Sequence, residues 1–420
     1  MVTYIRLNNL MKITFMGAGS TVFAKNVLGD VLLTPALCED LEIALYDIDG
    51  ARLEESYIMI EALNKKYNEG KAKVGKFLGV DERRDALRGA RFVVNAIQVG
   101  LYDPCTKIDF AIPKKYGINQ TIGDTLGIGG IMRGMRTIYV LKDFAADMAK
   151  VCPDAYFLNY TNPMAILAGY MERFTPIKSV GLCHSVQVCS NGLLKEVGLE
   201  PKRPIREKIA GINHMAFLLE LEDADGNDLY PEIRRRANEI LENPPENFKD
   251  LVRFEYIRRL GYYCTESSEH NAEYNNFFIK EKYPELIERY RIPLDEYPRR
   301  CVNQIARWNS DKQKYLSDDV SHKRTHEYAS YIMEAIVTNN PYQIGGNVLN
   351  RGLIDNLPAD ACVEVPCLVN VCAIGAPGED CSALRGGSAA DADHITGELL
   401  KGFVKKFCNL FVVNCIWSVK

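Results

Sequence analysis

The stretch KITFMGAGSTVF, residues 12–23, decides the fold. Lys12 to Met16 is a short, mostly apolar run of the length of a buried strand. Gly17-Ala-Gly19-Ser20 interrupts it, and Thr21-Val-Phe-Ala-Lys-Asn-Val-Leu28 continues with helical spacing. A strand that runs into Gly-x-Gly and then a helix is the phosphate-binding turn of a Rossmann unit. Gly17 allows the tight turn, and Gly19 lets the backbone approach a pyrophosphate. Ser20 begins a helix whose N–H groups face the anion. Position 22, where the usual fingerprint has a third glycine, is valine. Asp47 closes a second strand at 41–46 and is placed to bind ribose hydroxyls; its charge repels a 2′-phosphate, so NAD is expected rather than NADP. Without a ligand the same residues would make a tight strand–helix turn with a capping aspartate.

The rhythm set by this unit continues. A charged amphipathic helix is expected at 50–68, strands at 91–97, 155–159 and 178–183, and helices at 132–150 and from Pro163. Alternating strands and helices give a parallel sheet with crossover helices, so the expected class is α/β, a Rossmann-like doubly wound sheet. Beyond about residue 205 the pattern changes to two strands around Gly211-Ile-Asn-His214, followed by helices at 230–242, 248–260 and 326–337. The expected division is a dinucleotide-binding domain at 11–185 and a mixed α+β domain for substrate, metal and oligomerisation at 186–420. Residues 1–10 read as an upstream extension of a chain starting at Met11.

Composition narrows the function classes. With 420 residues, 47% hydrophobic, 25% charged and a net charge of -4, the chain reads as an ordinary globular protein with no general attraction to nucleic acid or anionic membranes. It has no apolar run of membrane-spanning length. Its 13 cysteines are odd in number and lack framework spacing, which favours free thiols in the cytoplasm.

Several segments carry candidate chemistry. Gly123-Asp124-Thr-Leu-Gly-Ile-Gly-Gly130 is a glycine-rich loop before a helix; Asn159-Tyr-Thr-Asn162-Pro163 and Gly181-Leu-Cys183-His184-Ser185 end strands. In an open α/β sheet, ligands collect outside the carboxyl ends of strands. Cys183 and His214 offer a thiolate and an imidazole to a divalent metal, although a lone cysteine beside a strand is usually core and a lone histidine usually hydrogen-bonded structure. Thr265–Tyr274 is dense in titratable groups, including Glu269, His270, Glu273 and Tyr274, and also reads as a capped helix start. His322 and His326 lie in a basic polar stretch and read as surface residues.

Taken together, Met16–Phe23, Asp124–Gly130, Asn162-Pro163, Gly181–Ser185 and Gly211-Ile-Asn-His-Met-Ala216 resemble glycoside hydrolase family 4 over about residues 11–370. Within it, Thr265–His270, Leu294-Asp-Glu-Tyr-Pro298 and Gly352–Pro358 are most similar to members acting on α-galactosides such as melibiose. The resemblance implies NAD⁺ and a divalent metal, Mn²⁺, as cofactors. It also implies a reaction outside the two-carboxylate scheme: oxidation at C3, loss of the C2 proton, departure of the C1 oxygen, water addition and re-reduction. It implies Cys183 and His214 as metal ligands and Asp124 and Asn162 as sugar contacts. His184 stands where phosphosugar members carry Asp or Asn, which argues against a 6-phospho substrate and makes His184 a candidate proton donor. His270, with Tyr274 nearby, is the candidate C2 base. Relatives are dimers or tetramers, so a homo-oligomer is expected.

Competing readings are an α-glucosidase or α-glycosiduronase of the same family, a lactate/malate-type dehydrogenase and a non-catalytic NAD sensor. From about residue 375 the resemblance stops, and the run Gly386-Gly-Ser-Ala-Ala390 suggests a frameshifted or otherwise aberrant tail.

Overall fold

A computed structural model describes residues 11–317, 319–371 and 374–375. The expected aberrant tail lies outside them. The described chain forms two compact units: residues 11–184 with 294–342 and 369–371, and residues 185–293 with 343–368.

In the first unit, Met11–Met16 (β1), Leu41–Asp47 (β2), Lys73–Leu78 (β3), Phe92–Asn95 (β4), Tyr156–Asn159 (β5) and Lys178–Leu182 (β6) form one parallel array. Their order is β3-β2-β1-β4-β5-β6, that of a doubly wound dinucleotide-binding sheet. Every residue of β1 is buried, as expected for a central strand covered by helices on both faces. The strand order reverses between β1 and β4, so the loops leaving these two strands open a crevice at their carboxyl ends. Tyr46, Val93, Phe144, Met148, Phe157 and Met171 belong to the core beneath it.

The return of residues 294–342 to this unit has a polar anchor. Asp30, fully buried on the helix Thr21–Leu32, accepts from His322 Nε2 at 2.7 Å, Thr325 N–H at 3.0 Å and Thr325 Oγ1 at 2.6 Å. His322 is therefore buried, contrary to its reading as a surface residue. Its imidazole fills the space left by Gly29, where an added Cβ would come within 2.7 Å of the ring. His326 is exposed, as expected.

In the second unit, Arg206–Ala210 (β7), Phe217–Glu222 (β8) and Tyr263–Cys264 (β9) form an antiparallel sheet. The helices Tyr230–Glu242 and Leu251–Leu260 pack with each other. Tyr342–Leu349 (β10) and Cys362–Val369 (β11) are neighbours, and Glu364 of β11 pairs with Gly211 in an isolated antiparallel bridge.

Asp30→Ala leaves buried donors without their acceptor. It is expected to cost about 3–5 kcal/mol and to lower the thermal midpoint of the full chain. An unchanged midpoint would show that the return segment is held by other contacts.

Candidate functional site

The turn after β1 closes tightly. Gly17 has φ +87°, and a Cβ there would lie 2.8 Å from the carbonyl carbon and oxygen of Ala96. A side chain at Gly17 is thus excluded both by backbone conformation and by the approach of the β4 loop. The Gly17 and Ala18 N–H groups both donate to the Tyr46 carbonyl at 3.0 Å. Asp47 is held through both oxygens: Gly19 N–H donates to Oδ2 at 2.6 Å and Asp49 N–H to Oδ1 at 3.0 Å. Ser20 stands at the N-cap of Thr21–Leu32, and its side chain makes no capping hydrogen bond. Val22 is exposed, so the close helix–strand packing that the third fingerprint glycine serves is not made there. This glycine cradle with a backbone-oriented carboxylate fits a dinucleotide.

Asp124 is buried in the glycine-rich loop. Thr125 Oγ1 donates to its Oδ1 at 2.7 Å, and Asn162 Nδ2 donates to its Oδ2 at 3.3 Å. These two sequence candidates therefore meet. Asn162 Oδ1 is buried without a hydrogen-bond partner, an acceptor left for a hydroxyl. The motif 294–298 returns to this loop, with Asp295 N–H on the Gln120 carbonyl and Tyr297 N–H on that of Thr121, both at 2.9 Å. Arg133, which the sequence reading did not single out, lies 5.7 Å from the centroid of the Tyr297 ring.

Cys183 and His184 follow β6, and His184 opens the helix His184–Glu196. Cys183 is buried, while the side chain of His184 is half exposed. The His184 ring faces Phe23 and Tyr160, with centroids at 6.3 and 6.0 Å. Its Nε2 lies 2.5 Å from Glu327 Oε1. Glu327 also went unnoticed in the sequence, some 140 residues away.

In the second unit His214 is buried with φ +66°, a left-handed conformation in which histidine is among the more tolerated residues. Its Nδ1 is 3.3 Å from the Tyr274 hydroxyl and its Nε2 is 3.3 Å from Glu266 Oε2. The latter spacing suits neighbouring ligands on one octahedral ion with bonds of about 2.1 Å, so His214 fits a metal, and Glu266 is a candidate ligand beside it. Burial pushes the Glu266 carboxyl up, but His214, His270 and the Ser267 N–H together outweigh it and leave it below the ordinary range. Glu266, His270 and Tyr274 of the Thr265–Tyr274 stretch therefore lie beside His214, and Glu266 was not distinguished within it.

His270 Nδ1 lies 2.8 Å from Ser267 Oγ and 3.6 Å from Glu266 Oε1. A proton on Nδ1, shared with these oxygens, would leave the base role to Nε2.

A second buried carboxyl shapes the His214 turn. Glu364 accepts from Asn213 Nδ2 at 3.0 Å and Asn347 Nδ2 at 3.1 Å through the same oxygen. Its main chain exchanges hydrogen bonds with Gly211 at 3.1 and 2.8 Å. Burial raises the Glu364 pKa, against smaller opposing effects of Asn213 and His214. A raised folded pKa gives stability that is fully present below the unfolded value of about 4.3 and is lost as pH rises through the folded value. Glu364→Gln keeps the shared acceptor and removes this loss. The variant should melt like the parent near pH 4 and above it at pH 8; parallel melting at both pH values would contradict the assignment.

Residues 12–199 match the model described as family 4 glycosyl hydrolase, and residues 209–375 match that of the family 4 glycosyl hydrolase C-terminal domain. The α-galactosidase of Bacillus subtilis (strain 168) is 58% identical over 362 residues, covering 86% of this chain and 82% of the relative. A Bacillus subtilis protein described as a glucosidase, lplD, shares the fold with a TM-score of 0.75 and 23% identity, over 87% of this chain and 85% of that one. The 6-phospho-β-glucosidase of Thermotoga maritima, solved with manganese, NAD⁺ and glucose-6-phosphate, aligns with a TM-score of 0.65 and 21% identity, over 87% and 82% of the two chains.

Proposed function

The chain belongs to the family 4 glycosyl hydrolases, and from that premise we propose that it is an α-galactosidase working with NAD⁺ and a divalent metal, Mn²⁺. The observation that carries the reading is the 58% identity with an α-galactosidase along 86% of the chain. When bound, NAD⁺ supplies reversible hydride acceptance at the sugar C3, and the metal supplies Lewis-acid polarisation of the C3 oxygen.

The remaining work falls to side chains of this protein. Gly17, Gly19 and Ser20 receive the pyrophosphate at the helix N-terminus, and Asp47 takes the ribose hydroxyls. Cys183 and His214 hold the metal. Asp124 and Asn162 orient sugar hydroxyls; their mutual hydrogen bond supports a shared role. His270 accepts the C2 proton at Nε2, with Tyr274 as the neighbouring group that steadies His214. His184 delivers a proton to the departing glycosidic oxygen. With histidine at this position, next to the metal cysteine, an unphosphorylated sugar is favoured.

Two settings accompany this activity. The described cysteines are unbridged, which supports a cytoplasmic location; no described helix is long and apolar enough to cross a membrane. Ile128, Met132, Met135 and Tyr139 recur at helical spacing and are exposed on Gly127–Val151, a stripe that supports homo-oligomerisation. Tyr139→Asp should reduce the sedimenting mass of the full chain; an unchanged mass would remove this face from the interface.

Hydrolysis of p-nitrophenyl α-galactoside should require NAD⁺ and Mn²⁺ together. Cys183→Ser should lose several kcal/mol of transition-state stabilisation, about a thousandfold in rate. Equal turnover without either cofactor would exclude the reading, and turnover confined to α-glucosides or α-galacturonides would relocate the substrate.

A further inference from the structure

Two consecutive residues, Glu327 and Tyr328, meet two consecutive residues at the end of β6. The Tyr328 hydroxyl accepts from the Cys183 N–H at 2.7 Å and donates to the Cys183 carbonyl at 3.0 Å. A phenolic hydroxyl has one proton and free lone pairs, so one oxygen can make both bonds. Cys183 lies between the last residue of β6 and the first of His184–Glu196. Chain ends of this kind leave main-chain groups that need a partner from elsewhere.

Glu327 is 5% exposed and carries the contact to His184 Nε2. The pair is itself fixed. Thr325 Oγ1 accepts from Glu327 N–H at 3.1 Å and donates to Asp30 at 2.6 Å. The Tyr160 hydroxyl accepts from Ala329 N–H at 3.1 Å, and the Tyr160 ring packs edge-on against Tyr328 with centroids 6.3 Å apart.

The geometry points to Glu327-Tyr328 as a positioning clamp for the metal-binding and proton-donating dipeptide. Tyr328 fixes the backbone from which the Cys183 thiol is presented to the metal. Glu327 fixes the rotamer of His184 through the contact at Nε2. The inference rests on the reading of Cys183 as a metal ligand. It goes beyond that reading by assigning the supporting groups, whose loss from metal sites typically weakens affinity 10–100-fold.

A hydroxyl that only satisfies two buried main-chain groups would affect stability and binding together. A clamp affects metal binding selectively. The full chain is therefore titrated with Mn²⁺ by electron paramagnetic resonance, with Co²⁺ by its thiolate charge-transfer absorption, and with NAD⁺ by fluorescence, alongside thermal melting. Cys183→Ser should abolish the Co²⁺–thiolate band and weaken Mn²⁺ binding. Tyr328→Phe should weaken Mn²⁺ binding about tenfold and diminish the Co²⁺ band, with NAD⁺ affinity as in the parent.

Glu327→Gln should retain Mn²⁺ affinity and lower kcat at unchanged KM on an alkyl α-galactoside. A nitrophenyl substrate, whose leaving group needs little protonation, should be spared. Parental Mn²⁺ affinity in Tyr328→Phe, or parallel loss of Mn²⁺ and NAD⁺ binding, would overturn the clamp. Equal loss on both substrates in Glu327→Gln would overturn its second half, and this arm decides alone if Tyr328→Phe does not fold. Metal binding by Cys183→Ser equal to that of the parent would instead overturn the ligand reading, and the clamp with it.

Discussion

The approach of Gly17 to the main chain of Ala96 is the constraint on which the first unit depends. A single Cβ would collide with the β4 loop at 2.8 Å, so β1 and β4 can lie side by side and end together only with glycine there. That places the reversal of strand order beside the mouth of the helix Thr21–Leu32. The loops after β5 and β6 then carry Asn162 and the Cys183-His184 pair at the same end of the sheet. The carboxyl ends of four neighbouring parallel strands therefore supply the cofactor turn and much of the candidate sugar and metal chemistry.

Around this frame the polar groups are oriented by other polar groups rather than by packing alone. Backbone N–H donors hold both oxygens of Asp47. Asp30 ties the segment bearing Glu327 and Tyr328 to the first helix. In the second unit, Glu364 joins Asn213, Asn347 and the Gly211 main chain around the turn that presents His214. Burying such groups is costly unless they are satisfied. The return is rigidity, which suits side chains that must meet reacting atoms within a few tenths of an ångström.

What could be read from the sequence was local. The apolar run before Gly17, the acid at the end of β2, and the strand ends carrying Asn162 and Cys183 all depend on spacing within a few residues. The β7–β8 pair around Gly211–His214 was legible for the same reason. Edge strand β3, none of whose residues is buried, gave no comparable periodic signal. The supporting residues were hidden by distance along the chain. Nothing near His322 announces Asp30, 292 positions away, and its polar neighbours pointed to the surface. Tyr328 resembles a packing aromatic until its hydroxyl is seen on both main-chain groups of Cys183. Glu266 sat in a stretch with so many titratable groups that composition could not rank them; only its distance to His214 does so.

The central claim is that the glycosidic bond breaks by elimination after oxidation at C3, with loss of the C2 proton. The most direct test is to hydrolyse an α-galactoside in D₂O with NAD⁺ and Mn²⁺ and examine the released galactose by mass spectrometry and proton NMR. The account predicts deuterium at C2, because the proton lost there exchanges with solvent before the position is reprotonated. Galactose released at full turnover with no deuterium on carbon would contradict it and place the chemistry at C1 alone.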